Sequence, residues 1–281
     1  MESFLRYLVR IMKVIFSHRA GASIYISIFF LSAGLFLFFG RTWPVRGTPS
    51  TLEARNRSAA ATVAGPMPPV IVIGFVGGFI RHDNIVHSEV QLAAGLRKAY
   101  PVGVDVETFE SYRGENARAK IHSVLDTNHD GTLTPAEKQN ARIILYGHSW
   151  GASEAITVAR ELGKDGIPVL LTIQVDSISK IHENDEVIPA NVAQAANFYQ
   201  PDGFVHGQPA IRAADPSRTK IIGNFRFDYK TSPYTCDEYP WYDRIFVKAH
   251  TQIECDPTVW KQAETLIRSN LPPATSTNPT P

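Results

Sequence analysis

The sequence predicts an α/β fold, a mainly parallel sheet with helices on both faces. Three observations carry that expectation. Short β-branched runs alternate with helix-spaced apolar residues along most of the chain, and Gly and Pro punctuate those runs as they do buried strands. Between two stretches rich in Pro, Ala, Ser and Thr lie roughly 200 residues, enough for one well-buried core.

The elements follow in chain order. Val70 to Phe75 reads as a strand ending at Gly77-Gly78, and Val104 to Phe109 alternates as a second. Between them Val90, Leu92, Leu96 and Tyr100 give residues 89–100 a helical spacing. Glu115 to Leu125 reads as a helix, Arg142 to Tyr146 as a strand, and Ser153 to Leu162 as the helix after it. Val169 to Val175 follows the Gly166-Ile167-Pro168 turn as the next strand. Val192 to Ala196 is expected to be helical, leading into a short run at Asn197 to Tyr199. Ile221 to Phe227 and Arg244 to Lys248 read as further strands, and Val259 to Ile267 as a closing helix.

Outside this core the chain changes character. Residues 22–40 carry no charge over a length that crosses a bilayer as a helix, and so read as a transmembrane signal anchor. Arg6, Arg10, Lys13 and Arg19 precede that segment, whereas only Arg41 and Arg46 follow it closely. The positive-inside rule therefore places the basic segment 1–21 in the cytoplasm and exports everything after Arg41, into a periplasmic or extracellular space. A cleaved signal peptide is the competing reading; it is disfavoured by the long basic region and by the lack of a small-x-small site before Arg41. Residues 41–69 read as a flexible linker and 272–281 as a disordered tail. A net charge of +1 with 20% charged residues leaves no basic surplus for nucleic acid.

Chemistry concentrates at Gly147-His148-Ser149-Trp150-Gly151, which closes the apolar run Ile143 to Tyr146 and opens a helix. Strand, sharp turn and helix in that order make a nucleophile elbow, with Ser149 at its tip and glycines where a Cβ would collide with neighbouring chain.

On these residues, the segment from about Val70 to Leu271 resembles the α/β-hydrolase superfamily in its lipase and esterase-like branch. The resemblance implies the chain order nucleophile, acid, histidine. It makes Ser149 the nucleophile and His250, ahead of the last helix, the general base. For the acid, Asp176 ends the Val169–Val175 strand directly, and Asp202 follows the next short run; Asp176 is preferred for its longer strand and Asp202 stays as the rival. The oxyanion hole would combine the amides of Trp150 and Val76, the latter from the Phe75-Val76-Gly77-Gly78 loop. The implied reaction is cleavage of a small-molecule or lipid ester, or a thioester, through an acyl-enzyme. The competing functions are a non-catalytic calcium-binding surface protein and an acyltransferase.

A second motif precedes the elbow. Residues 126–137 match the twelve-position loop of a single EF-hand, with oxygen donors at Asp126, Asn128, Asp130, the carbonyl of Thr132, Thr134 and Glu137. Gly131 occupies the turn position and Leu133 the apolar one. The cofactor expected there is Ca²⁺, as a structural clip, because no second loop exists to pair with it. The same residues also form an Asx turn and a capping box that need no metal.

Cys236 and Cys255 flank the stretch carrying His250, and a bridge between them would pin that region in an oxidising compartment. Tyr234, Tyr239, Trp241 and Tyr242 in the same stretch suit either a pocket wall or core packing. The cluster Arg81-His82-Asp83 with His87 lacks the spacing of a zinc enzyme and reads as a solvated helix start.

Overall fold

The computed structural model of the chain describes residues 69–273. Within them lie strands β1 (Val70–Val76), β2 (Val104–Glu110), β3 (Ile143–His148), β4 (Val169–Val175), β5 (Val187–Ile188), β6 (Val192–Tyr199), β7 (Arg212–Ala213) and β8 (Lys220–Arg226). The helices are α1 (Ser88–Ala99), α2 (Gly114–Leu125), α3 (Pro135–Gln139), α4 (Trp150–Lys164), α5 (Trp241–Phe246), α6 (Lys248–Cys255) and α7 (Pro257–Arg268). Six strands form one sheet in the order β2-β1-β3-β4-β6-β8, and every neighbouring pair is parallel. Strands β5 and β7 pair separately.

Parallel strands covered on both faces must be apolar on both, and alternation sorts their residues between two cores. On one face Val70, Val72, Ile144 and Leu171 pack with Leu92 and Leu96 of α1 and with Val259, Ala263 and Ile267 of α7. On the other, Ile71, Ile73, Ile143 and Leu145 meet Ala117, Ile121 and Leu125 of α2 and Ala155 and Ile156 of α4. Each such Ile or Leu contributes roughly 1.5–3 kcal/mol by leaving water. Two helix layers thus clamp the sheet, fixing the ends of β1, β3 and β4 relative to one another. The chain leaves β1 for β2 on one side and reaches β3 on the other, so this order reverses between β1 and β3, the crevice where open α/β sheets place their sites.

Two expected elements differ. Residues 192–196 are not helical: Val192–Tyr199 is one continuous strand between β4 and β8. Its Ala195 and Ala196 are small because both faces are covered, a packing demand that reads in sequence as helix propensity. Residues 244–248 are not a strand either. Pro240 opens α5 as its N-cap, and Lys248 begins α6, so His250 lies within a helix. Ile245 and Phe246 are exposed, so the apolar run that read as a strand is surface.

The basic segment 1–21, the apolar segment 22–40 and all of the linker except its last residue lie outside the described residues, as does the tail beyond residue 273. Among the described residues no helix is long and apolar enough to cross a membrane.

Candidate active site

Strand β3 delivers Ser149 to the C-terminal edge of the sheet. There the backbone turns through φ 56°, ψ −126° before α4 begins at Trp150, a left-handed conformation that a residue with a Cβ enters only under local strain. The flanking glycines permit the turn. A Cβ on Gly151 would lie 2.2 Å from the Phe75 carbonyl oxygen, and one on Gly147 would lie 2.5 Å from the Gly151 carbonyl carbon. The Ser149 amide donates to Val175 O at 3.0 Å, tying the tip to the end of β4.

One residue beyond that strand sits Asp176, fully buried and also left-handed at φ 45°. Its carboxylate collects four donors. Oδ1 accepts from the amides of Gly207 at 2.7 Å and Gln200 at 3.3 Å, and Oδ2 accepts from Gln200 Nε2 at 2.8 Å and lies 2.7 Å from His250 Nδ1. This bond fixes the His250 ring and, if Nδ1 carries the proton, leaves Nε2 as the acceptor. Asp202 lies elsewhere in the network. It accepts from the amides of Tyr229 and Lys230 and pairs with Lys230 Nζ at 3.2 Å, the work of a turn-holding carboxylate. Gln200 and Gly207, which complete the shell of Asp176, went unread in the sequence because loop donors carry no periodic signal.

Val76 ends β1, fully buried and in register with Glu110 of β2. The Gly77 backbone comes next and lies against the elbow: a Cβ built on it would stand 3.2 Å from Ser149 Cβ. Trp150, half-buried, meets the Phe79 ring edge-on at 5.4 Å between centroids. A cleft of about 450 Å³ opens beside α6, lined by Phe204, Val205, Ile245 and Phe246 and reaching Ala249, the residue before His250.

Behind the elbow lies a cluster that the sequence did not disclose. His87 caps α1, Glu89 stands in its first turn, His148 ends β3 and Glu254 closes α6; the four are at most 8% exposed. His87 Nδ1 makes a short hydrogen bond with Glu254 Oε1. His148 Nδ1 stands 3.4 Å from Glu254 Oε2 and 3.9 Å from Glu89 Oε1, and its ring centroid is 4.4 Å from that of His250. Burial pushes Glu89 up to about 8, reinforced by the Glu254 charge; burial pushes Glu254 to about 8 as well. His87 is drawn below the ordinary histidine range by burial, and His148 well below it by burial and the two neighbouring histidines. The solvated helix start expected here holds for Arg81 and Asp83, an exposed ion pair, and fails for His87.

No family model matches this chain, and no curated protein does. Among solved structures, the chain is similar to an acetylxylan esterase at 16% identity and TM-score 0.36, over 74% of this chain and 100% of the esterase. It is similar to a YdeN-like hydrolase from Pectobacterium atrosepticum at 12% identity and TM-score 0.37, over 72% and 94% of the two chains. A third is the RedJ thioesterase of the prodiginine pathway in Streptomyces coelicolor, at 14% identity and TM-score 0.31, over 70% and 99%. Likeness at this level assigns neither a family nor a substrate.

The loop 126–137 is exposed and satisfies itself. Asp126 accepts from the amides of Asp130 and Gly131, and Asp130 from the amide and hydroxyl of Thr132 as well as from Asn128 Nδ2. Glu137 accepts from the amides and hydroxyls of Thr134 and Thr127, bonds that hold its carboxyl down to about 2. Thr134 and Glu137 form a complete capping box on α3. Gly131 takes the left-handed turn at φ 83°, and Leu133 packs against the core. Among the described residues, the one trio of His, Cys, Asp or Glu whose ligand atoms lie within 4.8 Å of one another is His87, Glu89 and Glu254, not the loop carboxylates. Near His250, Cys236 and Cys255 are bridged across 19 residues. Of the aromatic group, Tyr239 is buried with its ring edge on His87, while Tyr234 and Trp241 are exposed.

Proposed function

We propose that this chain is a serine hydrolase of α/β-hydrolase type, tethered to a membrane with its main domain exported, that cleaves an ester or thioester through an acyl-enzyme. The observation that carries the reading is the 2.7 Å bond between His250 Nδ1 and a buried Asp176, at the same sheet edge as a left-handed Ser149. Ser149 Oγ attacks the acyl carbon while His250 Nε2 takes its proton, and the buried Asp176 stabilises the imidazolium. The Val76 and Trp150 amides hold the developing oxyanion. Collapse breaks the bond to the alcohol or thiol, which leaves with the proton from His250. Water then repeats the sequence on the acyl-enzyme and frees the acid.

The test is covalent. A fluorophosphonate probe should label the wild-type chain and not Ser149→Ala, with ester turnover falling about 10⁴-fold or more. A wild type that resists labelling while folded would remove the hydrolase reading.

The same proposal includes Ca²⁺ in the loop 126–137, held by Asp126, Asn128, Asp130, the Thr132 carbonyl, Thr134 and Glu137. The Gly131 turn and the inward Leu133 support it. The ion must displace the four hydrogen bonds on Glu137, so affinity is modest and the role structural. Titration calorimetry on wild type and Glu137→Gln checks this: saturable heat in the first and none in the second is expected, and equal weak heats would leave only the capping turn.

A further inference from the structure

The cluster behind the elbow holds two carboxylates and two imidazoles with almost no solvent, and it is under-partnered. Among the described residues, neither oxygen of Glu89 and neither ring nitrogen of His148 completes a hydrogen bond, although both groups are essentially buried. The amides of Glu89 and Gly77 approach the Glu89 carboxylate without closing that gap. A buried polar group without a partner costs roughly 1–3 kcal/mol, more if charged, so two adjacent ones aimed at a common point call for an occupant. Water could serve one of them. Two carboxyls beside two imidazoles can fill that point with protons, or exchange those protons for a cation.

We propose that His87, Glu89 and Glu254, with His148 facing the two carboxylates, form a buried binding site for a divalent transition-metal ion, with zinc the best fit to the donor set. Two nitrogens and two carboxylate oxygens are donors of the borderline kind that zinc takes, whereas calcium and magnesium seek all-oxygen shells. Zinc bonds of about 2.0–2.2 Å put tetrahedral ligand atoms roughly 3.3–3.6 Å apart. The 3.4 Å separation from His148 Nδ1 to Glu254 falls within that spacing, and the 3.9 Å separation to Glu89 exceeds it by a few tenths of an ångström. Two carboxylates neutralise the dication, and the proton held by Glu89 and the one shared by His87 and Glu254 are released to solvent as the metal enters.

A ligating histidine ordinarily gives its other ring edge to a carbonyl or carboxylate. The His250 main chain lies within reach of the His148 ring. All four side chains are buried away from solvent, so the role of the site is positioning and not chemistry. His148 immediately precedes Ser149, and Glu254 stands one helical turn after His250 on α6. A metal bound to both ties the strand that aims the nucleophile to the helix that carries the base. The loop 126–137 takes no part.

Metal content decides the matter independently of turnover. Full-length chain purified in detergent with zinc chloride, desalted and analysed by mass spectrometry should hold about one zinc per chain, and Ser149→Ala and Glu137→Gln should hold the same. His87→Gln and Glu254→Gln should fall below about a tenth of that, and Co²⁺ in place of zinc should give the visible bands of a four-coordinate N/O site in wild type only. Zinc added to chelated wild type should raise Tm by about 5 °C or more. Wild type that holds less than about a tenth of an equivalent, with Tm unmoved by zinc, would overturn the proposal, and so would zinc retained in both ligand variants. Zinc in Ser149→Ala without labelling of wild type would remove the hydrolase reading alone.

Discussion

Asp176 and Glu89 are both fully buried carboxylates near the C-terminal edge of one sheet, and their surroundings are opposite. Asp176 has four donors within 3.3 Å, three of them backbone or amide groups. Glu89 has none that completes a bond. The histidines they face, His250 and His148, lie 4.4 Å apart. Burial alone therefore does not mark a finished site. The first carboxylate is held ready for an imidazolium, while the second is held at about 8 by burial and a neighbouring acid.

That contrast is most severely tested by Asp176→Asn, which keeps the shape and removes the charge. Turnover should drop about 10⁴-fold, as expected when the acid that orients a catalytic imidazole is lost. Asp202→Asn should leave turnover within a few-fold and cost about 1–2 kcal/mol through its turn. Steady-state kinetics beside thermal melts separates the two, and equal losses of activity would return Asp202 to contention.

The next effect concerns the clamp on α6, which carries His250 and Glu254. Replacing Cys236 and Cys255 by serine removes a 19-residue bridge and should cost about 3 kcal/mol in denaturant unfolding. A cost below about 1 kcal/mol would mean that the helix is held by its packing alone.

A pH-dependent effect sharpens the comparison from the other side. Because Glu89 titrates near 8 in the folded chain against 4.5 ordinarily, its contribution to stability is full below pH 4.5 and is lost as pH rises through 8. Glu89→Gln, neutral throughout, should therefore gain on chelated wild type across that window, and the gain should level off above it. With zinc added the order should reverse. Melting curves at pH 5, 7 and 9 check it, and a variant that loses ground as pH rises would contradict the sign.

How much of this was legible in the sequence depends on distance along the chain. Gly147 to Gly151 is contiguous, so strand, turn and helix could be read from neighbours, and Asp176 was legible because it ends an unambiguous strand. Strand β6 was not: Ala195 and Ala196 serve close packing on two faces, and that demand looks like helix propensity. The stretch 244–248 misled in the opposite way, since exposed Ile245 and Phe246 imitate a strand where Pro240 starts a helix. The His87 and Glu254 pair spans 167 positions and meets only once the sheet is assembled. No local pattern reports such a meeting.

The backbone at Ser149 has one more consequence. At φ 56°, ψ −126° glycine rests where serine is strained, so Ser149→Gly should fold at least as securely as the native chain. With Ser149 as the proposed nucleophile, stability and chemistry compete at this single residue. On that proposal, a chain released from the need to react could carry glycine at position 149 while every core residue around it stayed in place.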